Sequence, residues 1–449
     1  MPVPPAGSFS QQPMAIAPGP SDAPVGQQKK GSNQSMAVIP FARASKWHVE
    51  QSNTQSGIVL TGAASQIFNF PLASYGYLSA VVITVTLSGG TSSAVTYFED
   101  APFSLLSQIQ LSDVNGVPLF QLSGFNAYLA AKYGGYRLFG PDGGIFRGAP
   151  FDTNSAGTAL TGVQQAAVEG GPNAAVGTFV TANTPNYGAY SLMPTTSNIN
   201  CKFVIPIYLE FGLDGLGCLP NMDASARYNL QVTVAGGATT AAATGPFVTA
   251  ITVGTAPTMS INVEVLCRSQ PPAQDMFGNM NSVSPPAVGT VQYWTAQTAS
   301  GLSTGANTIQ LTRVGNLIRN HILVFRNATT TVGPRGLGEV TDMPSLFEFD
   351  WDVGQRYIAN TSTLRLLNAY GVMGLGDPNG VICLPNTLDP DKIALSEYGD
   401  EWLGTVGATK FTLRFTPGGT GSGGSVTVLT NDIVPASGQV YQAPQLQIG

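Results

Sequence analysis

Ile109-Gln-Leu-Ser-Asp-Val-Asn-Gly116 and Phe347-Glu-Phe-Asp-Trp-Asp-Val-Gly354 stand about 238 positions apart and read alike. Each is an alternating run closed by a glycine, the pattern of a half-buried strand entering a turn. A proline lies upstream of each (Pro102, Pro344) and an apolar pair follows (Leu119-Phe120, Tyr357-Ile358). A short helical signature comes next in both places. Phe125–Tyr133 stops at Gly134-Gly135 and Thr361–Tyr370 stops at Gly371, glycine being a common helix terminator. Working outward, Tyr77–Thr86 aligns with Leu317–Arg326 at an offset of 240, and Tyr228–Val234 takes the place of Phe411–Phe415. The matches keep one order, and two of them keep nearly one spacing, which predicts a duplicated domain.

The remaining apolar segments, including Leu78–Leu87, Phe203–Phe211 and Ile261–Leu266, are short, rich in β-branched residues and broken by Gly, Asn and Pro. Pro206 inside one of them predicts an edge strand or a bulge. Each half therefore reads as an all-β unit of roughly eight short strands with one short helix, a pattern that closes as a sandwich or barrel. Residues 1–45 form a Pro/Gly/Gln/Ser-rich arm without a period of its own. The first unit runs over 46–268 and carries a long Ala/Gly/Thr/Asn excursion at 153–200. Residues 269–287 are a linker, 288–435 the second unit and 436–449 a C-terminal tail. A smaller excursion spans Gly236–Pro257.

Composition narrows the function classes. Charged residues are only 10% of the 449 positions, against roughly 25% in average soluble proteins. Lys plus Arg is 19 and Asp plus Glu 25, a net charge of −6. The longest basic run is Lys29-Lys30, so the many cations needed to neutralise phosphates are missing and direct or sequence-specific nucleic-acid binding is not expected. The apolar runs fall short of the ~20 residues that span a bilayer, and the N-terminus lacks a basic-then-apolar export signal. Cys201, Cys218, Cys267 and Cys383 are far apart with no CxxC pair, which points to buried free thiols rather than a disulfide framework or a zinc site.

Two tandem jelly-roll β-sandwiches of eight strands each, the duplicated unit Ile109–Gly135 and Phe347–Gly371, and a polar N-terminal arm together resemble the double jelly-roll major capsid proteins of tailless double-stranded DNA viruses, the tectivirus–adenovirus lineage, in which bacteriophages are included. The resemblance covers about 46–435. It implies a structural protein of the virion shell, with no reaction and no cofactor. It implies a homotrimer whose six jelly rolls make a pseudo-hexagonal capsomer that tiles an icosahedral lattice. Its partners would be neighbouring capsomers, penton and minor capsid proteins, and an internal viral membrane where one lies under the shell. The excursions 153–200 and 236–257 would project outward, and the arm would tie subunits together or touch the membrane side. The alternative is a viral spike or lectin-like jelly-roll protein that binds a receptor or carbohydrate. Trp47, Trp294, Trp351 and Trp402 are scattered rather than grouped in one loop as such a site would want.

Candidate chemistry is sparse. The chain has two histidines, His48 and His321, both better read as packed residues than as catalytic bases, and no catalytic set can be assembled from them. Glu348, Asp350 and Asp352 alternate along one strand and so share a sheet face. That makes them a candidate cation site, since hard cations collect several oxygens, or a glycosidase-like acid pair. The plainer reading, that they are solvated or paired with Arg356 or Arg319, is preferred. Asp389, Asp391, Glu397, Asp400 and Glu401 form an acidic stretch that reads as a soluble rim or, more sharply, as a calcium or arginine contact between capsomers.

Overall fold

The structure is a computed structural model of the whole chain. It describes residues 38–60, 64–97, 100, 102–134, 138–139, 145–146, 199–211, 215–237, 248–327, 343–351, 355–361, 380–385, 402–405, 408–418 and 423–434. The second predicted helix, apart from Thr361 at its start, lies outside these residues. So do the arm up to residue 37, almost all of the 153–200 excursion, Asp352, the acidic stretch 389–401 and the C-terminal tail.

The first unit contains β1 (Trp47–Val59), β2 (Gln66–Pro71), β3 (Tyr77–Tyr97), β4 (Leu106–Ser112) and β5 (Pro118–Leu122), preceded by α1 (Phe41–Ala44). After β5 comes α2 (Gly124–Tyr133), then the small pair β6 (Leu138–Phe139) and β7 (Ile145–Phe146). The unit ends with β8 (Ile199–Tyr208), β9 (Leu219–Pro220), β10 (Asn229–Val234), β11 (Val248–Thr255) and β12 (Thr258–Arg268). The second unit contains β13 (Val291–Ser300), β14 (Asn307–Gln310), β15 (Leu317–Arg326), β16 (Leu346–Trp351), β17 (Gln355–Asn360), β18 (Val381–Pro385), β19 (Leu403–Gly404), β20 (Phe411–Phe415) and β21 (Ser425–Val434).

In the first unit β1, β12, β3 and β8 are neighbours in one sheet, and β2, β10, β4 and β5 in the other. In the second unit the orders are β13, β21, β15, β18 and β14, β20, β16, β17. These are the same arrangement, strand for strand. Even the short β9 on the end of β3 is repeated by β19 on the end of β15. Pro206 lies in β8, which pairs with β3 alone among the described strands, so it sits on an edge. β11 and β12 run as one broken strand along the 21-residue β3, so the 236–257 segment is in part a continuation of the sheet.

The cores follow from alternation. β12 and β10 bury every second residue, which brings Ile83, Val85, Ile261 and Val263 of one sheet against Ile109, Leu111, Leu230 and Val232 of the other. In the second unit Leu323, Phe325, Val426 and Val428 meet Phe347, Phe349, Leu413 and Phe415. Face-to-face burial of this kind, at ~25 cal/mol per Å² of apolar surface, is what holds a sandwich together.

β15 breaks the alternation. All residues from Ile318 to Phe325 are buried, because its outer face is covered by the first unit. Ile322, Val324, Val381, Cys383 and Leu429 belong to the first unit's hydrophobic cluster, alongside α2. The helix is buried on every side, as a helix enclosed between two layers must be. Ser123 caps its start by accepting from the Asn126 N–H at 3.3 Å. Gly124 has no room for a side chain, since a Cβ would lie 2.1 Å from the Phe103 carbonyl oxygen.

Candidate assembly interface

The two units meet edge to edge. Trp294 of β13 is bridged in parallel to Phe120 of β5, which fuses one sheet of each unit into a continuous nine-stranded sheet. Polar groups lock this junction. The last carbonyls of α2 accept from the second unit, Tyr133 O from Asn320 Nδ2 at 2.9 Å and Gly134 O from Arg319 Nη2 at 3.4 Å. A cation at a helix C-terminus interacts favourably with its unpaired carbonyls. Arg319 is fully buried, also donates to Gln292, and lies over the rings of Trp402 (5.4 Å) and Phe211 (5.8 Å). Gln292 in turn donates to Tyr208 O at 2.8 Å. At the other end Arg326 pairs with Asp100 and sits 6.0 Å from the Phe125 ring.

The bulges repeat too. Where β12 runs along β3, Ser79 is skipped, and where β21 runs along β15, Arg319 is skipped, at the offset of 240. Ser79 donates to Glu210, whose carboxylate is held by Arg268 at 2.6–3.1 Å. That buried ion pair closes the first unit where the linker leaves it. The end of the arm takes part in the same closure. Phe41 packs edge-on against Tyr77 at 5.2 Å, and Ile39 bridges to Asn281 of the linker. The linker itself carries a tight turn around Asp275, whose Oδ1 accepts from the N–H groups of Phe277 and Asn279, both at 2.8 Å.

The residues singled out for chemistry are spread through the fold. Glu348 and Asp350 do share a face of β16, and the cation that meets them is Arg414 of β20, 3.7 Å from Glu348 and 3.2 Å from Asp350. Arg319 lies in the other sheet, committed to α2, and of Arg356 the structure gives only its register position opposite Asp350. Among the described residues no group of three His, Cys, Asp or Glu side chains is gathered as a metal site. His321 is enclosed by Phe349 and Phe411, and burial lowers its pKa to about 3. His48 lies against Tyr75 at 5.0 Å. Cys218, Cys267 and Cys383 are buried free thiols. Burial raises Cys267 to about 11 and raises Cys218 further, helped by the charge of Glu210, so neither is primed as a nucleophile.

No family model matches the sequence, and no curated protein matches it. Solved structures do match. The STIV MCP has a TM-score of 0.52 at 11% identity, over 88% of this chain and 100% of that one. PBCV-1 VP54, fitted into a cryo-EM reconstruction of the virophage Sputnik, has a TM-score of 0.53 at 12% identity, over 87% of this chain and 94% of that one. These neighbours are double jelly-roll capsid proteins, and the likeness covers most of this chain. The fold is the double jelly roll. Sequence reasoning found the double jelly roll's repeat but missed the junction residues Arg319, Asn320 and Arg326. The signal that was available is polar residues inside a strand otherwise apolar on both faces.

Proposed function

We propose that this chain is a structural capsid subunit. Three copies assemble six jelly rolls into a pseudo-hexagonal capsomer, and capsomers tile an icosahedral shell. The observation that carries this reading is the edge-to-edge fusion of two sandwiches with identical strand order through Trp294 and Phe120. A unit repeated side by side has near-equivalent lateral faces, and head-to-tail contacts of this kind close into a ring when the rotation between units closes. The structural neighbours are major capsid proteins of virions, which supports a place in the virion shell. The resident chemistry also supports a structural role: the one described buried histidine is held neutral and the paired carboxylates face an arginine. Neighbouring capsomers, penton and minor capsid proteins, and an internal membrane where present, are the partners this role requires. Particle reconstitution tests it. Purified protein mixed with its virion partners should enter closed shells, whereas a soluble monomer that binds a glycan array would favour the spike or lectin-like reading.

A further inference from the structure

The seam between the two units holds a pair of amides with no polar counterpart in the first unit. Asn320 of β15 and Asn431 of β21 are direct cross-strand partners. The residues at the same register in the first unit, Ala80 of β3 and Leu266 of β12, are apolar. Pairing of these strands therefore does not require polar side chains at this position. Both asparagines are fully buried. Directly opposed residues place their side chains on one face of a sheet, with Cβ atoms about 4.5–5.5 Å apart. That face is the one the first unit covers, since Ile322 and Leu429, two residues away along the same strands, belong to its hydrophobic cluster.

Each amide commits its nitrogen to a backbone carbonyl. Asn320 Nδ2 donates to Tyr133 O of α2 at 2.9 Å, and Asn431 Nδ2 donates to Tyr293 O of β13 at 3.1 Å. These bonds fix which way the amides face. Turning either one over would set its oxygen against a carbonyl oxygen and lose the bond. Both Oδ1 atoms are thereby left buried, and no side chain among the described residues donates to either. The adjoining guanidinium of Arg319 gives Nη1 to Gln292 and Nη2 to Gly134 O instead. Two acceptors side by side cannot satisfy one another, and a buried acceptor without a donor is costly.

We infer that a water molecule is bound between Asn320 Oδ1 and Asn431 Oδ1 and donates one hydrogen to each. The ligand follows from the acceptors. A small neutral group with two hydrogens satisfies both oxygens, and buried waters serve this purpose in protein interiors. A metal cation would bring a second positive charge beside the buried guanidinium of Arg319, where repulsion is strong. The water completes a chain of hydrogen bonds that starts at Tyr133 O on the end of α2. The chain runs through Asn320 and Asn431 to Tyr293 O on β13. It thus ties the first unit's helix to β15, β21 and β13 of the second unit through one bound molecule. The site lies inside a single chain, so it stands apart from the capsid reading.

A high-resolution crystal or cryo-EM map of the full-length protein tests this. It should show a density peak about 2.7–3.2 Å from both oxygens. A peak at about 2.3–2.6 Å, ringed by further oxygens, would mark a hard cation and refute the water. Clear density for both amides with nothing between them, or with a side-chain donor on either oxygen, would refute it as well. A double-mutant cycle in urea gives a second reading. Asn320→Ala and Asn431→Ala should each lower the folding equilibrium constant. The double variant should lose less than the product of the two single effects, by a factor of at least about 5, because either change alone already breaks the bridge. Independent effects would overturn the bridging role. The map is read on the wild type, so a variant that fails to fold still leaves the inference decided.

Discussion

His321 sits between Phe349 and Phe411 in the second core, and burial alone holds its pKa at about 3. In the unfolded chain the same group titrates near 6.5. Above pH 6.5 both states are neutral and stability does not depend on this residue. Below it the unfolded state takes up a proton the folded state refuses, so stability falls as pH drops toward 3, by about 1 kcal/mol per pH unit. Urea melts at pH 7 and pH 4.5 should show this loss, and His321→Leu should show less of it. Arg319 is the other decisive residue. Its fixed charge is buried against Gly134 O, Gln292 and two aromatic rings. Arg319→Ala should destabilise by about 3 kcal/mol in the same melts, because the acceptors it leaves are buried. The sequence alone allows Arg319 as a partner for Glu348 and Asp350, and the structure gives that place to Arg414. The strand pattern shows that residue 319 lies in β15, but its acceptor is a carbonyl 185 residues away, a contact no local pattern encodes. Arg414 is partly exposed, so Arg414→Ala should cost less than about 1 kcal/mol.

At the scale of elements, α2 joins the two sandwiches. Its existence was legible from the Phe125–Tyr133 pattern and the glycines beyond it, because a helix stop is local chemistry. Its burial on all sides was not, since the second layer arrives from the other unit. Gly124→Ala should destabilise by about 1–3 kcal/mol, as an added methyl has only the Phe103 carbonyl and Leu106 to push against. Scanning calorimetry would read this as a lowered Tm for the whole chain, since the helix belongs to both units. The arm behaves similarly. Composition sets its end near residue 45, yet Phe41 is buried and Ile39 is bridged to the linker. Truncation to residue 38 should leave a folded subunit that fails to build shells. Truncation to residue 46 should in addition lose about 3 kcal/mol with Phe41. Equal melting of the two truncations would contradict that role for Phe41.

At the scale of the molecule, duplication organises everything else. It was legible because two strands of the same sheet position kept their spacing. The structure extends it to shared strand orders, a shared bulge at Ser79 and Arg319, and a shared small strand at β9 and β19. Differences between the halves then carry the functional information. β15 is apolar on both faces because it is covered within the chain, whereas β3 alternates, with Thr84 and Thr86 half-buried on its outer face. The low charge of the sequence fits a molecule with much of its lateral surface set against copies of itself. The central claim is that three copies close a ring. Native mass spectrometry of the purified chain, with electron microscopy of the same sample, tests it most directly. The account predicts a particle of three times 46.6 kDa with a hexagonal outline. A stable monomer, or an open filament of growing mass, would contradict it.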